Sequence, residues 1–371
     1  MFKTDILFTG FYGQSNTGDD AFVEVASWGS KKYWKKNNIR FLAVKENLPK
    51  GLNPLKGYPF SIPKTFRIQE RLLLRSGSAL VSAGGSTIHS ELTKNNIKQL
   101  AIQRKHSHPK FKIGAIGVSI GPFKNISDEK AVTKYLREID FLAVRDQTSF
   151  SFVESLNLPY KAVNSFDLAA LLPDIYGLPK KYNTPRDKKV IGVSVCRYES
   201  IHSDLDNTQE IRRNNMIVEL LKTIDEISNI HFKFFIINGN SKNGDIQITH
   251  ETISRVNPKS YEILQYSKRT EKVWTSIVTC DFIISTRLHA AIFACFGGTP
   301  FMLNEYHRKC SDFLENINYC EDYRLFNSEY DIKDRAYKII NIINDNTCYK
   351  FPNQINEMKK MAEFNFNKID F

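Results

Sequence analysis

The 371-residue sequence predicts an α/β fold, two Rossmann-like domains in tandem, and three observations carry that prediction. Short apolar runs recur along the chain, each followed by a loop and a helical pattern. Such alternation builds parallel sheets covered by helices. The runs are rich in Val, Ile and Phe with little polar alternation, as expected of strands buried on both faces. The length also exceeds one typical core. The division is expected at 173–189, PDIYGLPKKYNTPRDKK, which holds three prolines, a glycine, many charges and no hydrophobic period. Domains are therefore expected over 1–175 and 188–350, with 351–371 forming a C-terminal helix.

In chain order, the apolar runs place strands at Asp5–Thr9, Ile39–Val44, Ala79–Ser82, Lys112–Gly117 and Phe141–Val144. The second half continues with Val190–Val195, His231–Ile237, Phe282–Ser285 and Pro300–Leu303. Between strands, Glu210–Ile227 shows Ile211, Ile217, Leu220, Leu221 and Ile224 near a 3.6-residue spacing, an amphipathic helix. The tail Asp331–Phe371 reads as two helices broken near Pro352. No internal repeat or low-complexity tract is visible.

Hydrophobic residues make up 42% and charged residues 25%, an ordinary soluble composition. The N-terminal MFKTDILFTGFYG reads as a strand and turn with an acidic residue, not a signal peptide. No uncharged apolar run approaches ~20 residues, so a membrane span is not expected. The six cysteines, 196, 280, 295, 310, 320 and 348, lack metal-ligand spacing and are expected to be reduced. No metal site and no cofactor are expected. The net charge of +12 is compatible with nucleic acid, an anionic membrane surface or small acidic ligands. The basic residues are scattered and no nucleic-acid motif accompanies them, which favours a solvated basic surface with acidic ligands over nucleic acid.

In an open parallel sheet, ligands bind beyond the carboxyl ends of the strands. After the first strand comes Gly10-Phe-Tyr-Gly-Gln-Ser-Asn-Thr-Gly-Asp-Asp20. Such a loop either turns backbone N–H groups toward an anion or is a tight turn with Thr17 or Asp19 as N-cap. It matches neither the P-loop nor the dinucleotide fingerprint. Ala83-Gly-Gly-Ser-Thr87, read as a turn opening a helix, and Gly117-Val-Ser-Ile-Gly-Pro122 follow the third and fourth strands. His89 reads as an ordinary half-exposed histidine. After the fifth strand, Arg145 points at the crevice or pairs with Asp146 on the surface, and Asp146 caps the next helix. Arg197 is a weaker counterpart after the sixth.

The sharpest signal is Phe282-Ile-Ile-Ser-Thr-Arg-Leu-His-Ala-Ala-Ile-Phe-Ala-Cys-Phe296. The strand delivers Ser285 and Thr286 to the sheet edge, and a helix starting near Arg287 carries Arg287 and His289 in its first turn. Free N–H groups and the macrodipole favour an anion there and disfavour an uncompensated cation. A functional pair is favoured over a histidine satisfied by a carbonyl. Lys309, after the last strand, is placed to reach the same mouth or to be merely solvated.

These blocks together resemble the polysaccharide pyruvyl transferases. The matching segments are GFYGQSNTGDDA, GGS, GVSIGP, AVRDQTSFSFV and ISTRLHAAIFACFGGTPFMLNEYHRKCSDFL, over roughly residues 5–320. The resemblance implies a GT-B-like fold, two Rossmann-like domains facing across a cleft, with the acceptor on the first and the donor on the second. It also implies that the C-terminal helix packs back on the first domain. The implied reaction transfers pyruvate from phosphoenolpyruvate to a sugar of a surface glycan, or its lipid-linked precursor, as a ketal with release of phosphate. Carried over by residue, Arg287 and His289 match donor-binding and acid/base positions. Lys309 matches a donor-anion contact, and Arg145 the arginine of the V-R-D block. Gly13, Asn16, Gly18 and Asp19 match the first glycine loop. The second block is reduced here to Gly84-Gly85, followed by Ser86. Phosphoenolpyruvate would be a co-substrate, the chain cytoplasmic or peripheral at the inner membrane surface, and nucleic acid no partner. Arg287 and His289 substitutions are expected to leave the fold intact. The rival enzyme reading is a glycosyltransferase using a nucleotide sugar, which needs a site for a base and a ribose that Glu305 could serve; the other rival is a non-enzymatic basic binding protein.

Overall fold

The computed structural model describes residues 4–179, 187–201, 206–326 and 329–371. The chain divides into two compact units. One comprises Met1–Gln14, Asp19–Ile175 and Glu357–Phe371, the other Ser15–Gly18 and Tyr176–Asn356. Ser15–Gly18, expected in the first domain, thus groups with the second unit. Part of the expected linker, 180–186, lies outside the described residues.

The first unit carries β1 (Ile6–Thr9), β2 (Ile39–Phe41), β3 (Ala79–Ile88), β4 (Lys112–Ile120), β5 (Phe141–Val144) and β6 (Val163–Asn164). They form one parallel sheet in the order β2-β1-β3-β4-β5-β6. Its helices are α1 (Thr17–Lys32) from Asp19 onward, α2 (Phe66–Ser76), α3 (Ile97–Ser107), α4 (Ile126–Glu138), α5 (Gln147–Glu154) and most of the short α6 (Leu172–Tyr176). Every residue of β5 is buried, the consequence of an apolar strand covered on both faces.

The second unit carries β7 (Lys189–Ser194), β8 (Ile230–Phe235), β9 (Tyr261–Leu264), β10 (Phe282–Ser285), β11 (Phe301–Glu305) and β12 (Leu325–Phe326). These too are parallel, in the order β12-β11-β10-β7-β8-β9. Read within the unit, this is the doubly wound 3-2-1-4-5-6 order, whose switch point lies between β7 and β10. Helices α7 (Thr208–Ile227), α8 (Ile246–Val256), α9 (Thr270–Val278), α10 (Leu288–Gly297), α11 (Arg308–Asn316) and α12 (Ile332–Asn344) follow. Nine of the ten residues of α10 are buried, so its apolar composition all round places it inside. Gly298, at φ 74°, ends α10, and the Thr299 N–H reaches back to the Ala294 carbonyl, a Schellman closure that uses glycine's left-handed freedom.

The last helix, α13 (Ile355–Asn367), lies mostly in the first unit. Asn365 is fully buried. Its Oδ1 accepts from the Gly117 N–H and the Ser165 hydroxyl, and its Nδ2 donates to the Phe166 and Ala362 carbonyls. The Trp34 indole N–H donates to the Phe366 carbonyl at 3.0 Å. Among the described residues, no helix is long and apolar enough to cross a membrane. All six cysteines are free thiols.

Several sequence expectations change. Gly84 and Gly85 do not open a helix: β3 runs on through them to Ile88, with both at positive φ, 75° and 74°. A Cβ on Gly84 would stand 2.3 Å from the Phe22 ring, so the glycine permits close helix–strand packing. Gly117 likewise lies within β4 rather than in a turn after it. In α7, Ile211 is 54% exposed while Arg213 is buried. The Arg213 guanidinium is held by Glu199, at 2.7 and 3.1 Å, with Glu210 3.8 Å away.

Candidate functional site

Arg287 is the N-cap of α10, two residues beyond β10, and His289 is the second residue of that helix. Ser285, fully buried, donates its hydroxyl to the Arg287 carbonyl at 2.6 Å, and the Thr286 N–H donates to the Ser194 carbonyl at 2.7 Å. Ser285 and Thr286 therefore shape the turn from inside.

The Arg287 guanidinium is fixed by a residue that sequence reading missed. Asp245 follows β8 and is fully buried. Arg287 Nε donates to both of its carboxylate oxygens at 3.0 Å, and Nη2 donates to Oδ1. The Asn238 N–H adds a bond to Oδ2 at 2.9 Å. Burial pushes the Asp245 carboxyl above its ordinary value, while Arg287 and the Asn238 N–H pull it down. We take the pair as ionised at neutral pH, because the bidentate contact compensates both charges. Arg287 is itself half-buried, but its guanidinium is committed to a fully buried carboxylate, so the expectation that its substitution leaves the fold intact no longer follows. Asp245 gave no strand-end signal, because the loop 238–244 separates it from β8.

His289 is half-buried. A Cβ placed on Gly18 would lie 2.2 Å from its Nδ1, so the imidazole packs on the bare Cα of Gly18. Asn16 shapes that segment by accepting the Gly18 N–H at 3.0 Å, in the position of an N-cap to α1. The cap is thus Asn16, where the sequence suggested Thr17 or Asp19. Asn16 also bridges to Asn238, and the Thr17 N–H donates to the Ile237 carbonyl. Gly18, Asn16, Asp245, Arg287 and His289 therefore belong to one neighbourhood of the second unit.

Around the switch point, further cations gather. The buried Arg213 guanidinium stands 5.3 Å, and the Lys309 ammonium 5.4 Å, from the Tyr306 ring centroid. Lys309 lies in the first turn of α11, whose N-cap His307 accepts the Lys309 N–H at 3.1 Å. Cys196, just after β7, is buried, which pushes its thiol up, against the opposing pull of Arg287, Arg213 and Lys309. Burial likewise holds the Tyr306 hydroxyl protonated.

The remaining expected residues lie elsewhere. In the first unit Arg145 is bonded internally, Nε to Ser119 Oγ at 2.9 Å and Nη1 to Asp167 at 2.8 Å. Its partner is thus Asp167 rather than Asp146, which instead caps α5 through the Ser149 N–H. Gly13 takes a left-handed φ of 71° in the turn after β1, against Asn47. Asp19 and Asp20 stand in the first turn of α1, where their charge already complements the helix N-terminus and would repel an anion. Arg197 is engaged by Glu251 at 2.7 Å and by Gln247. Among the described residues, no three His, Cys, Asp or Glu side chains are disposed to hold a metal ion.

The sequence model for polysaccharide pyruvyl transferases matches residues 16–308, a stretch that includes Asn16, Arg287 and His289. The chain belongs to the polysaccharide pyruvyl transferase family. No curated protein matches it. Among solved structures, this pyruvyl transferase family member is similar to the UDP-GlcNAc 2-epimerase of Methanocaldococcus jannaschii, with 13% identity and a TM-score of 0.59 over 97% of this chain and 98% of that one. The UDP-GlcNAc 2-epimerase of Neisseria meningitidis, solved with UDP-GlcNAc, shares 11% identity and a TM-score of 0.56 over 99% and 100%. A glycosyltransferase from Rickettsia africae shares 11% and 0.53 over 98% and 94%. At such identity the likeness speaks for the GT-B type of fold alone.

Proposed function

We propose that the protein transfers pyruvate from phosphoenolpyruvate to two hydroxyls of a sugar, in a surface glycan or its lipid-linked precursor, forming a ketal and releasing phosphate. The observation that carries this reading is the Arg287–His289 turn at the switch point of the second sheet, with Asp245 orienting the guanidinium and Gly18 making room for the imidazole. Asp245 engages the Nε and Nη2 edge, which leaves Nη1 for an anionic group of the donor. Lys309 would approach the same anion from α11.

The chemistry needs a proton on the donor's methylene carbon, and histidine is the natural carrier near neutral pH. Protonation by His289 turns the enol carbon into an oxocarbenium-like centre and the methylene into a methyl group. One sugar hydroxyl attacks that centre and a second displaces phosphate. Of the two hydroxyl protons lost, one replaces the proton taken from His289 and the other leaves with phosphate, so the step balances without a redox partner.

The residue offered for the rival nucleotide-sugar reading is already engaged. Glu305 is bonded by Arg324 and by Ser311, and is only 8% exposed. The test is phosphate release from phosphoenolpyruvate across an acceptor array, together with thermal-shift titration of phosphoenolpyruvate and of nucleotide sugars. Acceptor-dependent phosphate release supports the reading. Stabilisation by a nucleotide sugar with no phosphate release from phosphoenolpyruvate would overturn it.

A further inference from the structure

Five of the large hydrophobic residues with more than half their surface exposed, Leu52, Phe60, Ile62, Ile68 and Leu72, fall within one stretch of the first unit. Four of them lie on or beside α2. The helix buries Gln69, Leu73 and Leu74 and exposes Arg67, Ile68, Arg71, Leu72 and Arg75. Arg67, Arg71 and Arg75, four residues apart, form one exposed stripe, and Ile68 and Leu72 form the stripe next to it.

The preceding segment is fastened alongside rather than loose. The Gln69 carboxamide bonds both the N–H and the carbonyl of Phe60, at 3.0 and 2.7 Å. Tyr58 stacks on Phe66 at 4.8 Å and donates its hydroxyl to Glu70 at 2.6 Å. Thr65 donates its hydroxyl to the Ile62 carbonyl, which holds Ile62 at the head of the helix. Phe60 and Ile62, 57% and 55% exposed, are thus held beside the helix that exposes Ile68 and Leu72, 61% and 53% exposed.

From these residues we infer that the outer face of α2, with Phe60 and Ile62, docks the protein on an anionic lipid surface. Between residues 60 and 76 the cations are Lys64, Arg67, Arg71 and Arg75, and the single acid, Glu70, is held by Tyr58. Apolar side chains flanked by arginines are what a bilayer interface takes: the former enter the acyl boundary and the latter meet headgroup phosphates. At eleven residues, α2 is about 16 Å long, so it lies along the surface rather than across it. A second copy of the chain is a poorer occupant, because a symmetric contact would set the arginine stripe against itself. The surface is independent of the reaction proposed above, although it would suit a lipid-linked acceptor.

The test is co-sedimentation of the full chain with vesicles of phosphatidylcholine, alone or with part replaced by phosphatidylglycerol, at low salt and at about 1 M salt. Binding is expected only with the anionic lipid, and it should weaken at high salt. The triple variant Arg67→Gln, Arg71→Gln, Arg75→Gln should lose roughly fivefold per arginine, about a hundredfold in all. Ile68→Ser with Leu72→Ser should weaken binding about tenfold or more. Both variants alter exposed side chains and should melt with the parent. Equal binding to neutral and anionic vesicles overturns the proposal. So does binding that ignores the serine pair, which would mark mere adsorption of a basic protein. A dimer dissociated by the serine pair, with no vesicle binding, would make the face a contact between copies and overturn it equally.

Discussion

Removing the guanidinium of Arg287 is the most informative perturbation. Arg287→Ala leaves the fully buried Asp245 carboxylate with the Asn238 N–H as its one remaining bond of the set described above. Breaking a buried pair from one side costs about 3–5 kcal/mol. Protonation of Asp245 sets a ceiling on that cost. From the ordinary carboxyl value of 3.8, neutralisation at pH 7 costs about 4 kcal/mol, and at pH 5 about 2 kcal/mol. The stranded carboxyl takes up protons more readily folded than unfolded, so the penalty must shrink as pH falls. For a domain of this size, about 4 kcal/mol corresponds to a melting shift of roughly 8–16 °C. Thermal and urea unfolding of parent and variant at both pH values measure it. Adding Asp245→Asn should recover most of the loss, because a neutral amide needs no counter-charge. The rescued double variant then tests donor binding in a folded protein, where loss of the guanidinium should weaken phosphoenolpyruvate affinity by roughly 10–150-fold. An Arg287→Ala protein that melts within about 1 °C of the parent at pH 7, or one that Asp245→Asn leaves unimproved, refutes the argument.

The remaining predictions concern the histidine, its cradle, the last helix and one buried lysine. His289→Ala should cut turnover by roughly 10²–10⁴-fold while donor affinity stays near the parent's, as steady-state kinetics and titration will show. Gly18→Ala must displace the imidazole, since its Cβ would fall 2.2 Å from His289 Nδ1, and should lower turnover on the order of 10²-fold in a protein that still binds donor. Asn365→Leu strands the buried Gly117 N–H and the Phe166 carbonyl and should cost about 2–4 kcal/mol in urea unfolding, with earlier proteolysis of α13. Burial lowers the Lys98 pKa to about 8 from 10.5, so the unfolded chain binds more protons in that window. Stability referenced to Lys98→Met should therefore rise with pH from about 8 to 10.5, and a flat difference would contradict the assignment.

How far the sequence could be read depended on whether the deciding interaction was local. β10 was legible to the residue, because Phe282–Ser285 is an uninterrupted apolar run bounded by Asp281 and a helix start. The edge strand β9 was not, since Tyr261 and Glu262 face solvent and break the apolar run that marks the others. Gly84 and Gly85 suggested a turn because glycine punctuates loops, yet their positive φ values serve a strand that passes Phe22 closely. Ile211 fitted the helical period of α7 but faces water, because Arg213 is drawn inward by Glu199 and Glu210, partners that periodicity ignores. At the site, strand-end position singled out Arg287, His289 and Asn16, whereas Asp245 is distant in sequence and could be paired with Arg287 only in three dimensions.

That missed carboxylate changes the logic of the site. A cation beside a helix N-terminus is disfavoured without a compensating anion, and on sequence alone a ligand was the favoured anion. Asp245 supplies it from within the chain, so the charge of Arg287 by itself no longer argues for phosphoenolpyruvate. What still argues for a ligand is geometry that the ion pair does not explain. Asp245 engages one edge of the guanidinium and leaves Nη1 aside. His289 needs glycine at position 18, a requirement that a histidine serving only the packing of α10 would not impose on another segment. Arg213 and Lys309 also crowd Tyr306 at the carboxyl ends of the neighbouring strands. Under the proposed reading, Asp245 would pre-orient the guanidinium before the donor arrives and so reduce the ordering cost of binding. It follows that Arg287→Lys should fail in two ways at once. A lysine can keep charge near Asp245, but one ammonium cannot hold the carboxylate bidentately and still present a second edge to the donor. Stability should therefore recover further than donor affinity does; equal recovery of both would mean that Arg287 serves the fold alone.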